Sequence, residues 1–246
     1  MDDLRRDPNV ENIDSEESEE DIVVLEETDI SHGVKACTKS LTGRIFLAQK
    51  FSAGTMENAL SAIWDKLIGF KVVNQGTNQF QFFFDEEKDM RRIEKGSPWL
   101  FKDYILHVRQ WSDTQNSDDN SDSTFPIWVQ FWGVPECYKT LEAGRKLGKK
   151  LGELMEIGMY KVRGKESRIL KAKIMLDGDK AVKDSLKVKG PNQRLVEVGL
   201  RYECIGIFCM YCAHLGHSAR VCNVLLEDAA CNKLNQDLVG EWLKAD

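Results

Sequence analysis

Four residues in the last fifth of the chain have the types and the spacing of zinc ligands. Cys209, Cys212, His217 and Cys222 form the pattern C-x2-C-x4-H-x4-C. Zn²⁺ prefers four thiolate and imidazole ligands at tetrahedral corners, and gaps of two and four residues let a short segment wrap one ion. Gly216, just before His217, fits this pattern, since so tight a wrap needs a residue that tolerates positive φ. The pattern predicts one zinc ion.

Four protein ligands complete the coordination shell of zinc and leave no position for a reactive water, so we expect a structural ion. The sequence shows no local Ser-His-Asp or Cys-His pattern, and no glycine-rich phosphate loop follows a predicted strand. We therefore expect a binding protein and not an enzyme.

The remaining cysteines do not fit a disulfide framework. The chain has seven cysteines, an odd number, and Cys204 and Cys231 lie outside the zinc spacing, as do the isolated Cys37 and Cys137. Crowded cysteines of this kind indicate metal binding in a reducing compartment.

Without a secretory leader or a long apolar run, we expect an intracellular protein of the nucleus or cytoplasm, with no membrane partner.

The zinc segment also carries residues able to contact nucleic acid. Phe208 and Tyr211 are candidates for stacking on unpaired bases, and His214 and Arg220 for contacting phosphates. A zinc segment that only binds protein is the alternative.

Charge is distributed unevenly along the chain. The net charge is −6, but residues 1–30 alone carry −11 and residues 139–173 carry +7. Within a predicted helix over residues 138–151, four basic residues form a stripe able to follow a phosphate backbone. An ordinary solvated helix face is the competing interpretation. The candidate phosphate contacts of this region are Arg145, Lys146, Lys149, Lys150, Arg163, Lys165 and Arg168.

The apolar periodicity of residues 41–111 predicts the order βαββαβ. Strands are expected at residues 44–48, 70–74, 79–84 and 104–110, and helices at residues 55–68, capped by Thr55, and 85–95. This order indicates a ferredoxin-like α+β domain with both helices on one side of the sheet. Phe83, with Phe46, His107 and Arg109, could lie on the free face of that sheet; burial in a core or under a second domain is the alternative.

The composition divides the chain into six segments. We expect a disordered acidic tail at residues 1–37, the ferredoxin-like domain at 38–111 and a polar linker at 112–124. A second, mostly-β α+β subdomain follows at 125–203, then the zinc knuckle at 204–224 and a C-terminal helical tail at 225–246. Because both α+β domains contain enough apolar residues for cores of their own, metal removal is expected to unfold residues 204–224 alone.

Several stretches resemble a known family, the plant proteins of LINE-type retrotransposon origin in which a domain of unknown function precedes a CCHC-type zinc knuckle. The similar stretches are Leu41-Thr-Gly-Arg-Ile-Phe, Gly96-Ser-Pro-Trp-Leu-Phe with Trp111, Pro126-Ile-Trp-Val-Gln-Phe-Trp-Gly-Val-Pro135, and the knuckle. The resemblance covers about residues 38–222 and departs from the family pattern at Ala213 and His214, where Gly and Lys or Arg are common. It implies a nucleocapsid-like, nucleic-acid-binding role in which the four ligand positions match one by one.

Together these features predict a zinc-dependent protein that binds single-stranded RNA or DNA with little sequence preference and takes no small-molecule substrate. The alternative is a protein-interaction adaptor in which zinc only holds a docking surface.

Overall fold

The computed structural model describes residues 23–47, 49–65, 67–112, 123–161, 168–191, 193–235 and 238–245. The acidic tail up to residue 22, most of the expected linker, and Arg163 and Lys165 lie outside these ranges. None of the described helices combines the length and apolarity needed to cross a membrane.

Residues 40–110 build a five-stranded antiparallel sheet. Its strands are β1 (Ser40–Ile45), β2 (Lys71–Gly76), β3 (Gln79–Phe83), β4 (Trp99–Phe101) and β5 (Tyr104–Gln110), in the spatial order β2-β3-β1-β5-β4. The helices α2 (Ala53–Ile63) and α3 (Glu87–Lys95) connect them. Met56 of α2 and Met90 of α3 share one hydrophobic core with Leu41, Phe82 and Val108, so both helices cover the same face. The predicted ferredoxin-like α+β fold is confirmed, with the short hairpin strand β4 as an addition.

Residues 124–203 repeat the same strand order in a second sheet. The strands β6 (Thr124–Trp132), β7 (Glu153–Lys161), β8 (Arg168–Asp177) and β10 (Leu195–Glu203) lie in the order β10-β6-β8-β7, which corresponds to β5-β1-β3-β2 of the first sheet. The helix α4 (Leu141–Lys149) joins β6 to β7. Gly144 and Gly148, one turn apart, let α4 lie close to the sheet, since a Cβ on Gly144 would be only 2.7 Å from Ile157.

The second sheet differs from the first where its second helix would be. The connection from β8 to β10 contains the strand β9 (Ser185–Lys189), paired antiparallel to β10, instead of a helix. The core on this side is closed by residues from elsewhere in the chain. Buried side chains from the first sheet and from residues 205–243 join the core of the second sheet: Phe46, Ile105, Ile205, Phe208, Leu215 and Leu243.

The N-terminal tail is not disordered up to residue 37, as the composition had predicted, because Glu27–Cys37 forms the helix α1. A capping box fixes its start: the Glu26 side chain accepts a hydrogen bond from the Asp29 N–H, and the Asp29 side chain accepts one from the Glu26 N–H. No residue of α1 is buried, so local capping and the acidic first turn favour the helix without packing.

The prediction of a helical tail over residues 225–246 is also wrong for most of that segment. The helix α5 (Asn223–Ala230) ends before Leu234, and the chain returns to the second sheet through a 3-10 turn at Glu241–Leu243 and the strand β11 (Lys244–Ala245). The strand β11 pairs in parallel with β10, and Leu243 is fully buried. Burial of Leu243 and the backbone hydrogen bonds of β11 outweigh the weak helical periodicity of this segment.

Candidate zinc centre and nucleic-acid interface

The zinc segment is a small hairpin followed by a turn into α5. Phe208 and Leu215 form an antiparallel bridge, and within it the Cys209 N–H donates to the His214 carbonyl at 2.8 Å. The Ala213 N–H donates back to the Cys209 carbonyl at 2.8 Å. Gly216 has φ +84°, which confirms the positive φ predicted from its place in the motif.

This hairpin brings the four predicted ligands together. The ligand atoms of Cys209, Cys212, His217 and Cys222 all lie within 4.8 Å of one another, and the Cys212 Sγ is 3.3 Å from His217 Nε2. Ligand atoms about 2.0–2.3 Å from a tetrahedral zinc ion are separated by roughly 3.3–3.8 Å, so the separations in the cluster are close to those of a zinc site. The four residues can therefore hold one metal ion.

Two of the thiols lie in contrasting electrostatic surroundings. Burial raises the pKa of Cys212 to about 12, so this thiol needs a nearby cation to become a thiolate. At Cys222, burial also opposes ionisation, but the Leu225 N–H, which donates to Sγ at 3.4 Å, and the neighbouring thiols lower its pKa overall. Cys222 caps the N-terminus of α5, where backbone N–H groups favour negative charge. The N-terminus of α5 therefore favours the thiolate form of Cys222.

Other cysteine and histidine side chains near the motif do not belong to the cluster. Cys204 and Cys231 are exposed and are absent from the group of close donors. His214 points its Nδ1 at the carbonyl of Cys212, 2.9 Å away, so this nitrogen carries a proton and donates.

The structure contradicts a base-stacking role for Phe208 and Tyr211. Phe208 is 6% exposed and packs in the core of the second sheet, and Tyr211 is 7% exposed. The Tyr211 hydroxyl donates to Asp228 at 2.6 Å and accepts from the Asn235 N–H at 2.9 Å. Neither ring offers a face to a base, because both hold the hairpin in place.

The predicted phosphate contacts are dispersed over the surface. Arg145, Lys146 and Lys149 on α4 and Lys150 at its C-terminal cap are all exposed, as the helical spacing indicated, and Arg168 is exposed at the start of β8. Arg220 is exposed beyond the hairpin, whereas His214 is half-buried. The α4 stripe and the zinc cluster thus belong to separate elements, with the stripe facing away from the second sheet.

A further surface with the chemistry of a base-binding site lies on the face of the second sheet that carries no helix. The register pairs Trp128 with Lys173 and Gln130 with both Lys171 and Arg201. Their neighbours in sequence, such as Ile127 and Val129, point to the opposite, helix-covered face and are buried. We call the half-exposed residues of this surface the aromatic face: Trp128, Trp132, Tyr160, Lys171, Lys173 and Arg201.

Contacts between these side chains hold the rings in place. The Arg201 guanidinium lies 4.2 Å from the centroid of the Trp132 ring, and Lys171 Nζ lies 5.5 Å from that of Tyr160. Trp128 meets Tyr160 edge-on, with centroids 5.3 Å apart. Such contacts fix the orientation of aromatic rings while leaving part of each surface accessible.

A polar network crosses the middle of the aromatic face. The Trp132 indole N–H donates to Gln130 Oε1 at 3.0 Å, the Gln130 amide donates to Glu203 at 2.7 Å, and Lys171 pairs with the same carboxylate. Burial, the hydrogen bond to Glu156 and the charges of Glu156 and Glu203 raise the pKa of Tyr160, which keeps its proton. The face therefore presents neutral rings beside cations, of which Lys171 is paired with the Glu203 carboxylate.

Reasoning from the sequence missed this face, although the signal was present. Polar or aromatic side chains at Trp128, Gln130 and Trp132 alternate with apolar ones in β6, and Lys171 and Lys173 alternate with apolar ones in β8. Alternation shows that two faces differ, but only the pairing of β6 with β8 shows that tryptophans and lysines share one of them.

Some solved structures resemble this chain at low similarity. The Sex-lethal RNA recognition domains 1 and 2 from Drosophila melanogaster are 13% identical, with 56% of this chain and 85% of that chain covered at a TM-score of 0.23. The RNA binding domain of Hrp1 in complex with RNA is 10% identical, with coverages of 66% and 96% and a TM-score of 0.27. The first two RRM domains of yeast poly(U) binding protein (Pub1) are 11% identical, with coverages of 66% and 98% and a TM-score of 0.24. The fold assignment rests on the strand order described above.

No curated protein sequence matches the chain. Residues 33–119 match the family described as "Domain of unknown function (DUF4283)", which spans α1 in part and the whole first sheet. The chain therefore has a region similar to DUF4283, followed by a second sheet of the same strand order and a Cys/His cluster suited to a metal ion.

Proposed function

We propose that the protein binds single-stranded RNA or DNA with little sequence preference on the aromatic face, and that a structural zinc ion at Cys209, Cys212, His217 and Cys222 supports its fold. The observation that carries this proposal is the grouping of three half-exposed aromatic rings with three cations on a helix-free sheet surface. Rings stack on unpaired bases of any sequence, and neighbouring cations contact the backbone phosphates.

Single strands fit this surface better than a duplex does. A base can reach Trp128 or Trp132 only if its own face is unpaired and unstacked, whereas a duplex presents phosphates and groove edges. The α4 stripe lies on the opposite side of the second sheet, so a strand bound to one surface does not bind the other at the same point. The DUF4283 match and the Cys/His cluster support a retrotransposon-derived, nucleocapsid-like origin for such a module.

A pair of charge reversals tests which surface binds. Lys173→Glu alters the aromatic face and Lys149→Glu alters the α4 stripe, and the two variants have the same net charge. Fluorescence anisotropy with a labelled mixed-sequence single strand should show tenfold or greater weakening for Lys173→Glu and less than twofold for Lys149→Glu. The reverse order would assign binding to α4 and reject the aromatic face.

A second variant tests stacking rather than charge. Trp128→Ala removes one ring, and the loss of one stacked base is expected to cost about 1–3 kcal/mol of binding free energy. Thermal unfolding of the same variant shows whether the sheet is intact. If the full-length protein loaded with zinc binds no single strand at low salt, the proposal fails and the protein-interaction adaptor becomes the better interpretation.

A further inference from the structure

The zinc hairpin lies between the two sheets and contacts both. Its bridging residues Phe208 and Leu215 are buried in one hydrophobic core together with Phe46 of the first-sheet region and Phe125 of the second. A knuckle that folded as a separate appendage would keep its side chains among themselves. Here the hairpin closes the side of the second sheet that lacks a helix.

On the side of the first sheet, the hairpin is fitted to the backbone. The Ile207 N–H donates to the Asp103 carbonyl at 2.8 Å, in the β4–β5 turn. Gly216 packs so closely on the segment after β1 that a Cβ there would lie 2.6 Å from the Leu47 Cα. Such an approach tolerates only glycine at position 216, independently of its positive φ.

On the side of the second sheet, two backbone hydrogen bonds hold the hairpin. The Val182 N–H, in the connection between β8 and β9, donates to the Ala213 carbonyl at 2.8 Å. The Val239 N–H donates to the Met210 carbonyl at 2.9 Å, a few residues before β11 joins the sheet. The segment of residues 207–222, which carries the zinc ligands, thus binds both halves of the molecule.

Side chains of the two sheets also touch directly, beside the contacts made through the hairpin. The Phe46 and Phe125 rings meet with centroids 5.0 Å apart, and Arg44 pairs with Asp179 at 2.6 Å. The Arg44 and Asp179 side chains are 28% and 54% exposed, and exposed ion pairs contribute at most about 1 kcal/mol. The hairpin itself contains little regular hydrogen bonding, and segments of this size take their stability from the bound metal.

We infer that the zinc centre is a clamp that fixes the two sheets relative to each other, so that metal loss releases the sheets to move as separate bodies while each keeps its own strands and helices. This inference rests on the zinc site and goes beyond nucleic-acid binding. It differs from the expectation of a locally unfolding knuckle, because the hairpin residues belong to a shared core.

Single-molecule energy transfer on the full-length protein measures the clamp directly. One dye is attached at Lys88 on α3 and the other at Lys150 after α4, both exposed, through non-natural amino acids that leave the cysteines unmodified. The zinc-loaded protein should give one narrow distance distribution. After chelation, verified by metal analysis, the distribution should broaden, and it should narrow again when zinc is restored.

A variant of the clamp tests the contact with the first sheet. Gly216→Ala places a methyl group against the Leu47 backbone, whereas the control Gly54→Ala adds a methyl group where nothing lies within 4 Å. Gly216→Ala should broaden the distance distribution, and Gly54→Ala should leave it unchanged. Far-ultraviolet circular dichroism of the chelated protein should retain most of its signal.

Two results would overturn the inference. An unchanged distance distribution in the zinc-free protein would show that the sheets hold together without the metal. Loss of most of the circular dichroism signal on chelation would show that the sheets unfold rather than separate. Neither result bears on oligonucleotide affinity, so the clamp and the proposed function can fail independently.

Discussion

Phe46 and Phe125 belong to different sheets, and their ring centroids lie 5.0 Å apart in one buried core. Replacing Phe46 by alanine removes the aromatic contact and leaves a cavity next to Gly178, which packs on the same ring. We expect the free energy of unfolding to fall by about 3–5 kcal/mol. Urea unfolding monitored by tryptophan fluorescence measures the change.

Phe83→Ala is the matched control for this prediction. Phe83 is half-buried on the helix-free face of the first sheet and lies outside both large cores. Phe83→Ala should lower the free energy of unfolding distinctly less than Phe46→Ala does. Equal losses for the two variants would contradict the assignment of Phe46 to a core shared by the sheets.

The zinc centre predicts a clear difference between two cysteine variants. Cys212→Ser removes a ligand from the cluster, whereas Cys37→Ser changes a thiol at the end of α1, far along the chain from the motif. We expect one zinc ion per chain in the native protein and in Cys37→Ser, and almost none in Cys212→Ser. Elemental analysis after gel filtration measures the ratio, and full zinc content in Cys212→Ser would refute the ligand assignment.

His107 predicts a specific loss of stability in mild acid. Burial, and then the nearby Arg109 charge, lower its pKa from 6.5 to about 4. The Val108 N–H donates to Ser97 Oγ, so the Ser97 hydroxyl can donate to His107 Nδ1, which then accepts and carries no proton.

Between pH 6.5 and pH 4, His107 therefore binds a proton in the unfolded chain but stays neutral in the folded protein. The stability of the folded state falls as the pH falls through this range, by about 3 kcal/mol in total from this residue. His107→Gln should show a shallower loss of unfolding free energy between pH 7 and pH 4 in urea titrations. Parallel pH profiles for the two proteins would contradict the lowered pKa.

The acidic N-terminal segment predicts an inhibition that depends on salt. Residues 1–30 carry −11, and a tethered polyanion competes with nucleic acid for basic surfaces at a high effective concentration. Deleting residues 1–22 removes −8 of this charge and leaves α1 and its capping box intact. At low salt, this deletion should tighten binding of a labelled single strand several-fold.

The same comparison near physiological ionic strength provides the control, because screening shortens the electrostatic range to about 8 Å and should reduce the difference. Equal affinities of the full-length and shortened proteins at low salt would leave the segment with a solubilising role only.

The sequence predicted local features well and failed where distant segments meet. The zinc cluster depends on fourteen consecutive residues, so ligand spacing sufficed to find it. We expected Thr55 to cap the helix α2, but Ser52 caps it. Both hydroxyl residues suit a cap, and the choice depends on where the chain leaves β1. The strand expected at residues 44–48 begins at Ser40, since pairing with β3 and β5 extends it toward the N-terminus.

Sequence patterns could not predict that Phe208 and Tyr211 are buried. Aromatic residues beside zinc ligands are typical of base-stacking sites, and nothing local distinguishes an exposed ring from one that fills a core. Phe208 is buried because the second sheet has β9 in place of a second helix, which leaves a core that Phe208 helps to close. The same absence explains why Leu243 is buried in β-structure instead of lying on a helix.

The replacement of a helix by distant segments also affects how the protein is made. Strands β6 to β10 leave the ribosome together, yet their core requires Phe46, synthesised long before, and Leu243, synthesised about forty residues after β10. Contacts this far apart in sequence form slowly, and exposed strands are prone to aggregate until they form. A nascent chain stalled before residue 243 therefore holds an unfinished second sheet, and the first sheet, whose core lies within residues 41–108, is the part that can fold while synthesis continues.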